Sequence, residues 1–130
     1  MTSLNISRII TFAIILLILR VAVSFLVAGF ATGEELSMRT VLNYSLGYLV
    51  DATVVIAVFA KLARVQVKLP YVHALLVVVL QELLATALTT AIVGNFASSP
   101  LWPVDYFVLV LSVLAGMEIG RRLRVVADKK

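Results

Sequence analysis

Three ionisable side chains stand where a strongly apolar chain has least room for them: Arg20, Asp51 and Glu82, each near the middle of a long hydrophobic run. Their types suit two kinds of chemistry. A guanidinium donates through a planar fork and a carboxylate accepts, so the trio can tie helices together by charge-assisted hydrogen bonds. Two acids against one base also leave a formal excess of −1. Such an excess is costly in hydrocarbon, and a proton on one carboxyl, a small monovalent cation or a cationic substrate would neutralise it. Arg20 and Asp51 are the expected ion pair, with Glu82 left to take the proton or cation.

Residues three, four and seven positions from each charge share its helical face, and here they are mostly small or polar. Tyr44, Gly47 and Tyr48 accompany Asp51, while Ala85, Thr86 and Thr89 accompany Glu82 and Ala13 and Ser24 accompany Arg20. Tyr44, Tyr48, Thr86 and Thr89 are therefore expected to line the charge layer. Gln81 falls on a different face from Glu82 and suits a neighbouring helix. Further on, Ser112, Gly116 and Gly120 recur every fourth residue, a small-xxx-small ridge along which another backbone can approach closely. That ridge is expected to mediate packing and assembly between copies, with Leu109 on another face. Glu118 points away from it and pairs locally with Arg121 and Arg122. The single histidine, His73, lies close to Lys68 and Tyr71 and reads as an interfacial side chain rather than a metal ligand.

The elements that must position these groups follow from composition. Of 130 residues, 62% are hydrophobic and only 14% are charged, with a mean hydropathy of +1.11. A soluble protein this small exposes too much surface to tolerate such a balance, so the surplus apolar area calls for lipid. A crossing of the roughly 30 Å hydrocarbon core takes about 20 apolar residues. Four runs qualify, at about 9–30, 41–60, 70–93 and 104–120, within one integral membrane domain covering 1–130. Pro70 suits the first turn of the third run and Gly94 its end. The expected fold is all-α, a four-transmembrane-helix bundle. At about 1.5 Å per residue the three charges lie close to one plane.

Arg8, then Lys61, Arg64 and Lys68, then Arg121, Arg122, Arg124, Lys129 and Lys130 fall on one side of the spans, against Arg39, alongside Glu34, Glu35 and Asp105, on the other. The positive-inside rule then puts both termini in the cytoplasm. Trp102, Tyr106 and Phe107 belong to the outer aromatic belt and Tyr71 to the inner one. Ile9 to Leu19 would serve as a signal-peptide core, yet the apolar stretch runs past Arg20 to Phe30 and is read as a helix. The patterns Asn5-Ile6-Ser7 and Asn43-Tyr44-Ser45 match glycosylation sites, but the first faces the cytoplasm and the second begins inside a span.

The chemistry excluded is broad. No cysteine is present, which removes disulfides, thiolate metal sites and cysteine nucleophiles. No phosphate loop, nucleophile elbow or paired metal ligands occur, so neither an enzyme nor a cofactor or metal is expected. The excess of 11 basic over 7 acidic residues lies in short loops and a tail without aromatic platforms, which does not suit nucleic acid.

With its opening Met1-Thr2-Ser3-Leu4, the basic second loop running into Leu69-Pro70-Tyr71, Pro103-Val104-Asp105 at the start of span four and the basic tail, the chain resembles the phosphate-starvation-inducible E family of small bacterial inner-membrane proteins. The resemblance implies four spans, a bacterial inner membrane and a role in stress physiology. The family's acid late in span two and arginine in span three correspond here to Lys61 and Glu82, so no functional residue transfers. Two functions are expected: an oligomeric, non-enzymatic module handling protons or small cations, or a structural subunit whose buried charges pack helices. A bundle this small is expected to have scant room for a substrate cavity of its own, so that transport would use a path between subunits.

Overall fold

The computed structural model describes residues 4–30, 38–94 and 101–127, all of them in or beside four helices. These are α1 (Ile6–Phe30), α2 (Met38–Val65), α3 (Pro70–Val93) and α4 (Trp102–Ala127). Each contains a stretch long and apolar enough to cross a membrane. Two of the helices outrun the expected spans: α2 continues through Lys61 and Arg64, and α4 through Arg121 to Arg124. Hydropathy marks where a helix leaves an apolar medium, whereas lysine and arginine are good helix formers and let it continue.

Proline and glycine punctuate α3 as expected. Pro70 opens the helix, Leu69 before it is left-handed at φ 49°, and Gly94 closes it at φ 77°, its N–H donating to the Thr90 carbonyl at 2.9 Å. A left-handed residue costs a β-carbon-bearing side chain roughly 1–2 kcal/mol, and Pro70 bars the α region just before it. His73 offsets this strain. Its backbone N–H and its Nδ1 both bond the Leu69 carbonyl, at 3.1 and 3.0 Å.

The four helices run alternately up and down, so the basic ends of all of them gather together and the aromatic ends gather opposite. At the basic end lies a dry core: Phe59, Leu62, Leu16, Met117, Val55 and Val77 are all fully buried. α4 packs most intimately against α2, and its small ridge is the reason. A β-carbon on Gly116 would stand 2.6 Å from the Ile56 carbonyl oxygen, and one on Gly120 would meet the Ala60 carbonyl and the Ala63 β-carbon. The ridge of Ser112, Gly116 and Gly120 is thus filled by α2 of the same chain and is not the surface for assembly between copies that its spacing suggests. Leu109, expected on another face, is buried beside it. Positions 109, 112, 116 and 120 form one continuous stripe because three- and four-residue steps alternate along a helix face.

Two arginines that count toward topology in the sequence also close α2. Arg8 donates to the Val65 carbonyl at 3.0 Å and to Gln66 Oε1 at 3.1 Å. Arg124 donates to the carbonyls of Ala63 at 3.1 Å and Gln66 at 3.4 Å. The last carbonyls of a helix have no partner within it, and a cation there also complements the helix dipole. His73 extends the lock to α1, because its Nε2 accepts the backbone N–H of Asn5 at 3.1 Å. Its side chain is fully buried between α1 and α3.

Candidate functional site

Arg20, Asp51, Gln81 and Glu82 meet in one cluster that joins α1, α2 and α3. Arg20 Nε donates to Asp51 Oδ1 at 3.2 Å, and its NH1 donates to Glu82 Oε1 at 2.9 Å and Gln81 Oε1 at 3.1 Å. The expected Arg20–Asp51 pair is present. The expected division, with Asp51 paired and Glu82 left over, is not: one guanidinium serves both acids. The fork has donors on separate nitrogens and can reach two helices at once. Gln81 is likewise drawn into the layer, although it sits about 100° around α3 from Glu82. Successive residues straddle Arg20 rather than pointing apart.

The layer forms the floor of a cleft. Roughly a quarter of each of the Arg20, Asp51 and Glu82 side chains is exposed, at 24, 23 and 29%. The cleft measures about 820 Å³ and takes lining residues from all four helices. Tyr44, Tyr48, Thr86 and Thr89, expected around the layer, all line it. The expectation that so small a bundle has scant room for a cavity is overturned. Space opens because α3 packs on α1 and meets α2 and α4 only thinly. The α3–α4 seam is bridged instead by side-chain polar contacts, Tyr106 Oη to Glu82 Oε2 at 3.5 Å and Arg121 NH1 to Tyr71 Oη at 2.9 Å.

A third carboxylate joins the site, one that in the sequence counts only among the charges on the outer side. Asp105, in the first turn of α4, lines the cleft and accepts a hydrogen bond from the Tyr48 hydroxyl. A signal for it exists. Asp105 lies seven residues before Ser112 and four before Leu109, on the face that α4 turns toward α2. Trp102 and Tyr106 also line the cleft, their rings edge to face at 6.2 Å and 71°.

Other expected groups fall outside the site. Glu118 pairs with Arg122 at 2.9 Å and Arg121 at 3.8 Å along its own helix, as its spacing implies. Among the described residues, no group of three histidine, aspartate or glutamate side chains could hold a metal ion. Nor does any buried side-chain nitrogen or oxygen among them lack a hydrogen-bond partner. Glu34, Glu35, Lys129 and Lys130, which enter the reading of topology, lie outside the described residues, and the side chain of Arg39 is likewise not described.

No family model, curated protein or solved structure matches the chain.

Proposed function

We propose that this chain is a non-enzymatic, multi-pass protein of a bacterial inner membrane, with both termini in the cytoplasm, that handles positive charge through the Arg20, Asp51 and Glu82 layer. The observation that supports this most is the position of the carboxylates. Acids serving only as glue between helices would be sealed among them, whereas Asp51 and Glu82 line an open cleft. With Arg20 as the only base among the described residues that line the cleft, the Arg20, Asp51 and Glu82 layer carries a formal excess of one negative charge, and a proton or small monovalent cation at the layer would balance it.

The structural-subunit reading has its own support, since Arg20 ties three helices at one point. Reconstituted vesicles separate the two. Transport predicts a proton or sodium flux that Glu82→Gln abolishes while folding and oligomeric mass stay unchanged, because glutamine keeps the shape and cannot carry the charge. A wild-type protein that passes neither ion, or a Glu82→Gln variant that conducts as well as wild type, would leave the packing role standing. The same preparation gives the oligomeric mass. Any association between copies must use faces other than the α4 ridge.

A further inference from the structure

We propose that the cleft binds an organic cation, an ammonium or phosphonium centre carrying aromatic or alkyl bulk. This names a substrate class for the site above and rests on the reading that the site answers to positive charge. Size is the first argument. A cleft of about 820 Å³ far exceeds what a bare ion fills and falls within the roughly 300–1,000 Å³ typical of organic-ligand sites.

Charge is the second. Among the described residues Asp51, Glu82 and Asp105 face the cleft against Arg20, three carboxylates to one guanidinium, which is −2 in formal charge. An anion is repelled, and a neutral molecule leaves that charge unbalanced. A hard metal ion fits poorly as well. Calcium takes six to eight oxygens at about 2.3–2.6 Å, yet here the carboxylates are dispersed. Arg20 holds one oxygen each of Asp51 and Glu82, and Tyr48 holds one of Asp105.

The walls make the third argument. Tyr44, Tyr48, Trp102 and Tyr106 line the cleft together with the acids. Aromatic rings attract cations through their quadrupole and also bury apolar bulk, the combination by which quaternary ammonium groups are recognised. The acids stand at two levels. Tyr48 holds Asp105, and Asp51 follows three residues later on α2, about 4.5 Å deeper. A cationic centre between those levels would meet carboxylates above and below while its substituents pack on the rings.

The chain's single tryptophan, Trp102, lines the cleft and reports its occupancy. The full chain in detergent is titrated with tetraphenylphosphonium while Trp102 emission is followed. The expected result is a saturable change, weakened about tenfold or more by Asp105→Asn and absent with uncharged triphenylphosphine oxide. No saturable change, an equal response to the neutral compound, or unaltered affinity in Asp105→Asn overturns the proposal. Asp105 lies outside the Arg20 cluster, so its variant should keep the fold, as circular dichroism and elution volume will show; should it not, Glu82→Gln replaces it. Proton and sodium flux are measured on the same preparation. Flux without tetraphenylphosphonium binding overturns this inference and leaves the small-ion reading standing, whereas binding without flux does the reverse.

Discussion

At the basic end of the bundle α2 and α4 touch backbone to backbone, whereas toward the aromatic end a cleft opens among the four helices, although Gly47 of α2 still packs on Val27 of α1. The residues explain the contrast. Toward the basic end the facing positions are glycine and alanine, with Phe59, Leu62 and Met117 filling what remains. Toward the aromatic end Tyr44, Tyr48, Thr86, Asp105 and Tyr106 stand among apolar lining residues such as Val23, Val27 and Leu109. Small residues let α2 and α4 close backbone on backbone, whereas Tyr48 and Asp105 join the same two helices through their side-chain tips. The Arg20 cluster marks the boundary. The closed half thus acts as a clamp, and the open half is free to carry a site.

If the clamp depends on backbone approach, bulk on the ridge should have the largest effect of any change. Gly120→Leu drives a side chain into the Ala60 carbonyl, which cannot yield as a flexible side chain would. We expect a loss of about 3 kcal/mol or more, seen as collapse of folded yield in detergent. Leu114→Phe, on the exposed face of α4, should change thermal stability little. Equal effects of both changes would mean that α4 does not hold α2 through its glycines.

The boundary comes next. Arg20→Leu strands two carboxylates and Gln81 at once, and should cost about 2–3 kcal/mol, reduced from the fully buried figure because the cluster is partly open. Asp51→Leu and Glu82→Leu each leave Arg20 a remaining acid and should cost less. Thermal melts of Arg20→Leu, each acid variant and the two Arg20→Leu double variants test this. Both double variants should recover part of the loss, and additive losses in either cycle would remove that acid from the cluster.

A smaller effect is expected at the far basic end. His73→Phe keeps the volume but removes the acceptor for the Asn5 N–H and the Nδ1 donor to Leu69, a loss of about 1–2 kcal/mol. Hydrogen exchange should show faster opening at the start of α1. Unchanged protection there would mean that His73 does not anchor that helix.

The smallest effect on stability should come from the cleft itself. Thr86→Val alters only its lining and should shift melting by less than about 0.5 kcal/mol. A larger shift would show that the open half contributes to the clamp, and would weaken the division between the two.

Much of this was legible along the chain. Four helices, their approximate limits, the small ridge on α4, the local Glu118 pairing and the meeting of Arg20 with Asp51 all follow from patterns with a short period or from plain chemical complementarity. Asp105 was legible only in part. Its place on the Leu109 and Ser112 stripe could have been counted, but nothing along the chain says that Tyr48 stands opposite it.

What the amino-acid order determines by itself is each helix and the face it offers, because apolar run length and a 3.6-residue period are properties of one segment at a time. Which face meets which depends on how four rods rotate and tilt together, and that is decided by whichever pair can approach closest. Here α2 and α4 can, through Gly116 and Gly120 against Ile56 and Ala60. Once that seam closes, the ridge is spent within the chain, α3 rests on α1, and the polar ends stand apart. The cleft, the sharing of Arg20 between two acids and the capping of α2 by Arg8 and Arg124 are consequences of that one choice, because each brings together residues at least 31 positions apart in the chain.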